Sequence, residues 1–388
     1  MNLLSFIITI ATTWYRLLNS VTIIEQWMIC LINAIEMDTL TATADFENLA
    51  EMVSTPVTNS DSTNPYVLYG DGWVPDHIQI VSREYYTFIS VYMTVLSILS
   101  CFFNSVVIVV TIKYKELRKP INYIIVNLAV ADLASTLIGC TIPIFTNAVG
   151  YFYLGKYVCQ FLGYTVSISS IVSLLSISVM AFERFVVICK PFGSKRFGRK
   201  QALLGIAFTW TWSIIWNTPP LVLWDGYVPE GIGTSCAPNW LSEGLRERIY
   251  LLLYFITCFF IPLAVIAVCY WKILAFLREF ARNNSLPENT KSEAKVTKLT
   301  AIASAAFLFA WLPYAGFSMY KIFTPGSQMN FAFASIPAYF AKSSHIYNPF
   351  IYVGLNRQFC KCVMRMFVSE QKKQNDTPAN DNIKEVTV

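Results

Sequence analysis

Seven stretches of this 388-residue chain are long and apolar enough to cross a membrane as helices: Phe88–Ile112, Asn122–Asn147, Tyr157–Cys189, Ala202–Leu223, Ile249–Leu274, Lys298–Ile322 and Phe331–Tyr352. A bilayer core takes about 20 apolar helical residues to span, and in lipid a backbone must satisfy its own hydrogen bonds. The pattern predicts an all-α membrane protein, a seven-transmembrane helix bundle. Composition agrees, since 55% hydrophobic and 14% charged residues with a mean hydropathy of +0.48 are too apolar for a soluble domain.

Orientation follows from lysine and arginine in the connections, which concentrate on the cytoplasmic side. The first connection carries Lys113, Lys115, Arg118 and Lys119, and the third Lys190, Lys195, Arg196, Arg199 and Lys200. The fifth and the tail carry Arg278, Arg282, Lys291, Lys295, Arg357, Lys361 and Arg365. Opposite them lie Lys156, Arg246 and Lys321 with Asp225, Glu230 and Glu243. The N-terminus is expected outside and the C-terminus inside, so the net charge of +5 reads as positive-inside bias and implies no nucleic acid. No zinc-ligand cluster or phosphate-cradling loop stands out. Of ten cysteines, only Cys159, at the outer start of the third run, and Cys236, in the loop after the fourth, fall on the oxidising side, which predicts that they pair. Cys101, Cys140, Cys258 and Cys269 read as small apolar residues within helices. Cys360 and Cys362 are either palmitoylation sites or free thiols.

The expected organisation is an outer segment 1–85, a bundle 86–355, and an amphipathic helix with a cytoplasmic tail over 356–388. In the last, NRQFCKCVMRMF alternates basic and apolar residues, as suits a short eighth helix on the inner membrane surface. Arg16, Glu25 and Glu36 interrupt the apolar patches near the start, which lack the basic start and cleavage site of a leader. Residues 1–51 read either as sequence upstream of a true start at Met37 or Met52, or as an uncleaved anchor. Thr55–Pro75 is polar and turn-rich, the composition of a flexible outer segment, with no Asn-x-Ser/Thr acceptor.

Within the seventh run, IPAYFAKSSHIYNPFIY, stands Lys342. A charge at that depth costs at least ~3 kcal/mol. Two things would offset it: pairing with a carboxylate, or conversion of the amine to a Schiff base. Asn104, Asp132 and Asn348 are also polar at membrane depth, the last beside Pro349 and Tyr352, and read either as static polar glue or as a movable switch. Glu183-Arg184-Phe185 ends the third run and Glu293 begins the sixth. Arg184 either clamps to both carboxylates, tying two helices together, or meets lipid headgroups. In FLFAWLPYAGF, Pro313 predicts a kink that turns Trp311 inward. Phe307, Tyr314, Tyr339 and Phe340 are candidates to line an apolar pocket with it around Lys342, though such a stripe is also ordinary packing.

Taken together, KPINYIIVNLAVADL, Glu183-Arg184-Phe185, AWLPYA and FAKSSHIYNPFIY resemble a rhodopsin-class G-protein-coupled receptor of the opsin family, of non-visual ciliary type, from Tyr85 to Phe367. The lysine of AKSS, six residues before NPFIY, separates opsins from other receptors of the class. The resemblance implies a receptor rather than an enzyme, in which Lys342 binds 11-cis-retinal as a protonated Schiff base and light isomerises it. It implies a heterotrimeric G protein as partner and a plasma membrane, or a photoreceptor or ciliary membrane, as location. NRQF is similar to the NKQF of ciliary-type opsins that couple to the Gi, Go or transducin class, with Arg357 in place of the usual lysine. Receptor kinase and arrestin would be the shut-off partners, yet the tail offers them few hydroxyls, Ser369, Thr377 and Thr387.

A buried protonated Schiff base needs a counter-charge. In vertebrate visual opsins this is a glutamate three residues after the disulfide cysteine; here Leu162 occupies that position. The family's second site lies six residues before the loop cysteine, where VPEGIGTSC places Glu230. Glu230 is therefore the expected counterion, the alternative being an exposed loop carboxylate. Matching the family pocket points to Val166, Ser167, Ser170, Ile171, Phe307, Trp311, Tyr314, Ala315, Ala338 and Ala341 as retinal contacts. Two other functions compete with light-triggered signalling: a retinal photoisomerase, and a receptor for a diffusible ligand with Lys342 in a salt bridge.

Overall fold

The computed structural model describes residues 81–190, 197–224, 226–240, 242, 244–283, 288–324, 331–356 and 358–366. The chain divides into two units, Met1–Ser62 and Thr63–Val388, and the described residues belong to the second. The outer segment up to residue 80, with Met37 and Met52, lies outside them, as do Asp225, Glu243, Lys195, Arg196, Arg357 and the tail hydroxyls Ser369, Thr377 and Thr387.

Five helical spans are each long and apolar enough to cross a membrane: Arg83–Lys113, Pro120–Val149, Gly155–Cys189, Leu245–Phe280 and Glu293–Phe323. They are the first, second, third, fifth and sixth spans. The fourth, Arg199–Leu223, is a 25-residue helix whose Thr209, Ser213 and Asn217 recur every four residues on one buried face. The seventh run is not one helix but two of 12 residues, Phe331–Lys342 and Ser344–Leu355. At the break the Ser343 amide and hydroxyl both donate to the Phe340 carbonyl, at 3.0 and 2.7 Å, a local bond that competes with the helical ladder. Pro349 cannot donate to the carbonyl of residue 345, and the Asn104 side chain of the first span takes that place at 2.9 Å. The seven-helix architecture expected from the sequence is thus present, with the last span interrupted.

The third span has buried residues around most of its circumference, and its small Ser169, Ser173, Ser176 and Ser178 let neighbouring helices approach closely. One turn of the fifth span, Ile256–Phe260, is a π-helix, which rotates the residues beyond it relative to those before. Large apolar side chains face outward along the spans, among them Phe88, Leu137, Ile215, Trp271, Phe309 and Ile336, as lipid rather than water requires. Past the seventh span a short helix covers 358–366. Asn356 caps it, its Oδ1 accepting the amides of Gln358 at 3.1 Å and Phe359 at 3.3 Å. Phe359 and Cys362 are buried in the main core while Lys361 is exposed, so this helix has two faces. Cys362 is therefore poorly placed for acylation; Cys360 is more accessible.

Between the fourth and fifth spans an antiparallel hairpin, β1 Tyr227–Glu230 and β2 Ser235–Pro238, pairs Pro229 with Cys236 and Glu230 with Ser235. The predicted disulfide is present and joins the hairpin to the third span, Cys159 to Cys236. Gly163, one turn along, permits this approach, because a Cβ there would meet the Tyr227 ring at 2.7 Å. Tyr227 in turn donates to the Asn217 carbonyl at 2.9 Å, fixing the strand to the fourth span.

Candidate functional site

Lys342 ends the first half of the seventh span with only 6% of its surface exposed. Its Nζ donates to the Gly139 carbonyl of the second span at 2.6 Å and lies 3.5 Å from Ser235 Oγ of the hairpin. Gly139 stands against Val166, which a Cβ would meet at 2.4 Å, so a side chain at 139 would push into the third span.

Beside the amine lies an apolar cavity of about 100 Å³. All ten contact positions matched from the sequence line it: Val166, Ser167, Ser170 and Ile171 from the third span, Phe307, Trp311, Tyr314 and Ala315 from the sixth, and Ala338 and Ala341 from the seventh. Lys342 and Glu230 share the same wall. Tyr339 and Phe340, the two further candidates for that lining, point elsewhere. Tyr339 shares a hydrogen bond with Thr234 at 2.7 Å and receives one from Asn147 at 3.2 Å, whereas Phe340 packs edge-on to the outward-facing Phe309. Helical geometry explains Phe340, which two residues before Lys342 faces away from it, whereas Tyr339, at i−3, lies on the lysine's side and is held off the cavity by Thr234 and Asn147.

The rest of the wall was not legible from the seventh and sixth runs. It consists of Leu174, the hairpin and its exit, Ser235 to Pro238 and Trp240, and Tyr254, Phe255 and Phe259 of the fifth span. Trp240, four residues after the disulfide cysteine, was the available signal: a large aromatic tethered that close to the bundle must pack into it. Tyr254 and Phe255 precede the π turn and Phe259 lies within it, and the effect of that turn on facing has no marker in the sequence.

Glu230 has no ion pair with Lys342 among the described residues; its Oε2 accepts the Tyr314 hydroxyl at 3.0 Å, and Tyr314 accepts Trp240 Nε1 at 3.1 Å. Burial pushes the Glu230 carboxyl above its ordinary range, against the pull of Lys321, Lys342 and the Tyr314 hydroxyl. Burial likewise raises Tyr227, so it stays a neutral donor. Leu162 is wholly buried beside Cys159, Cys236 and Phe152 and contributes no charge. Chemically, this is a primary amine and a carboxyl group on the wall of one apolar chamber, a pair able to form an imine with an aldehyde and to balance its charge.

At the far end of the bundle Arg184 pairs with its neighbour Glu183 and, across to the sixth span, donates from Nη1 to Glu293 Oε2 at 2.7 Å. Between the two ends, Ser173 donates to Asp132 Oδ1 at 3.0 Å and Tyr352 to Met180 Sδ at 3.0 Å. Asp132 Oδ2, Asn104 Oδ1 and both polar atoms of the Asn348 side chain are buried without a protein partner among the described residues.

Residues 103–352 match the family model described as "7 transmembrane receptor (rhodopsin family)". Pinopsin of Columba livia is 43% identical over 73% of this chain and 82% of its own length. Green-sensitive opsin-1 of Psalidodon fasciatus is 42% identical over 80% of this chain and 86% of its own. The chain belongs to the opsin family. The fold agrees, since the crystal structure of squid rhodopsin superposes with a TM-score of 0.69 at 25% identity, over 79% of this opsin and 97% of that chain. It is accordingly a multi-pass membrane protein and a light-sensing receptor, not an enzyme. Membership implies a retinal chromophore and coupling to heterotrimeric G proteins.

Proposed function

We propose that this opsin, a non-visual one of ciliary type, carries 11-cis-retinal on Lys342 with Glu230 as its counter-charge, and that light activates a G protein of the Gi, Go or transducin class. The observation that carries the reading is one buried amine and one carboxylate on the wall of a single apolar cavity. Bound through Lys342, retinal would supply the absorption of light and a light-driven change of shape. The apolar walls exclude water from the amine, and Gly139 and Ser235 orient it. Glu230, steadied by Tyr314, supplies the negative charge that a cationic nitrogen at Lys342 needs in a low-dielectric chamber. A Glu230 counter-charge, rather than one at position 162, favours a photoproduct that keeps its proton.

Trp311 lines the cavity and its Nε1 donates to Ser344 Oγ at 2.9 Å, linking the sixth span to the second half of the seventh. Pressure on its ring would break that link and let the sixth span pivot at Pro313, whose missing donor has already weakened the ladder there. The far arm would then draw Glu293 away from Arg184 and open a cleft for the G protein. Support for the class of G protein comes from Asn356 and Phe359 of NRQF, and the basic connections support a hairpin face turned outward, in a plasma or ciliary membrane. Receptor kinase and arrestin would end the signal at the tail.

The test is a spectrum of the purified protein with 11-cis-retinal, taken in the dark, after a flash, and after a second flash at longer wavelength. A visible band that converts to a stable product and returns is expected. A bleaching band would remove Glu230 from the counter-charge role, and no band would overturn attachment at Lys342. Light-dependent nucleotide exchange on a purified Gi-class protein tests the signalling half; its absence, with all-trans to 11-cis conversion instead, would make the protein a photoisomerase.

A further inference from the structure

The sixth span carries a second buried amine. Lys321, in its last turn, is 8% exposed, has no ion pair among the described residues, and holds its Nζ 4.5 Å from the centre of the Phe317 ring. A lysine one turn from a helix end ordinarily extends its stem to water; this one is folded inward. Tyr314, Ser318 and Lys321 lie at i, i+4 and i+7, one face of the helix, and the first of them binds the Glu230 carboxylate at 3.0 Å. Ser318 between them is wholly buried, its hydroxyl oxygen without a hydrogen-bond partner among the described residues.

We propose that Lys321 is a second cation acting on Glu230, so that one carboxylate is shared by two buried amines and the charge at position 321 sets how much of it Lys342 receives. The proposal rests on Glu230 being the counter-charge of Lys342. Of the cations that oppose the effect of burial on the Glu230 carboxyl, Lys321 acts more strongly than Lys342. The other ionisable groups facing this cluster are the phenols of Tyr314 on the sixth span, Tyr254 on the fifth, Tyr339 on the seventh and Tyr85 on the first, with Cys140 of the second span and His345 of the seventh beside Lys342. Lys321 is thus a second cation acting on Glu230, a positioning residue for the site's electrostatics that need not touch the chromophore. A purely structural role, that of a cation placed at a helix C-terminus, would leave Glu230 unaffected.

Infrared titration of the ligand-free protein tests this directly, with the Glu230 carboxyl band identified as the one missing in Glu230→Gln. Lys321→Met removes the charge and keeps the stem, so the carboxyl should retain its proton to a pH higher by roughly half to one unit, while Lys321→Arg should leave it in place. Lys321→Gln serves if the methionine variant does not fold. In the pigment, the same loss of positive charge should move the alkaline loss of the visible band upward in pH. An unmoved Glu230 band in Lys321→Met or Lys321→Gln would overturn the proposal. An alkaline transition indifferent to Glu230→Gln would instead overturn the counter-charge reading, and the infrared result would still decide whether Lys321 acts on Glu230.

Discussion

At the scale of single residues, the site is a contest between burial and charge. Replacing Lys342 with alanine removes the amine, and the visible band with retinal should vanish while folding persists, because a methyl group costs less in an apolar wall than an unpaired ammonium does. Tyr314→Phe deletes the hydroxyl donated to Glu230 at 3.0 Å. A hydrogen bond to a charged group is worth about 1.5–3 kcal/mol, so the carboxyl midpoint should rise by one to two pH units, read from the same infrared band. The sign for stability follows. Burial raises the Glu230 carboxyl in the folded protein, so the folded state binds its proton more tightly than the unfolded state. That contribution is complete below the ordinary carboxylate range and is lost as pH rises through the raised value. Melting of the ligand-free protein should therefore weaken over that window, and Glu230→Gln should flatten the slope; a slope unchanged by the glutamine would refute the assignment. Lys342 and Glu230 could be picked out of the sequence because a charge is conspicuous among apolar residues or at a fixed distance from a cysteine. Lys321 could not, since a lysine near a helix end has many ordinary explanations, and only its burial distinguishes it.

At the scale of elements, what holds the site is a set of interruptions in otherwise regular helices. Proline at 349 frees the carbonyl of residue 345, and Asn104 takes it at 2.9 Å. Asn104→Leu would leave that carbonyl unpaired within the bundle, at a cost of about 1–3 kcal/mol, and should lower the melting temperature without altering the absorption band of the pigment that forms. A shifted band would mean that Asn104 reaches the cavity and not only the backbone. The hairpin is held by one covalent tie across a separation of 77 residues. Cys236→Ser should cost about 2–4 kcal/mol and impair pigment formation beyond that loss, because Ser235 and Glu230 ride on the same two strands. Spans were legible because lipid imposes one requirement on every residue of a run of about 20. The break at Ser343 and the π turn at Ile256–Phe260 were not, since each is decided by a single turn's competing hydrogen bonds. The four-residue strands were invisible for a related reason: they are too short for alternation to register, and a disulfide and Tyr227 fix them more than pattern does.

At the scale of the whole molecule, the two ends of the bundle are joined by the sixth span, and the question is how firmly its far end is held. Arg184 has two carboxylate partners, but Glu183 belongs to its own helix and restrains nothing between spans. The inter-helix tie is Glu293, whose side chain is 41% exposed. Pairs that accessible to water contribute about 0.2–1 kcal/mol, far less than a fully buried pair. Glu293→Ala should therefore raise nucleotide exchange by the ligand-free protein by no more than about five-fold, since 1.4 kcal/mol corresponds to ten-fold. Trp311, linked to Ser344 at 2.9 Å inside the bundle, is the tighter restraint, and Trp311→Phe, which keeps a ring but loses the donor, should raise dark activity at least as much. The double variant discriminates between one lock and two. If the restraints act on the same motion of the sixth span from opposite ends, each remains useful when the other is gone and the two effects multiply. If Glu293→Ala alone saturates activity, the weak exposed pair is the whole barrier and the cavity-side link is merely packing.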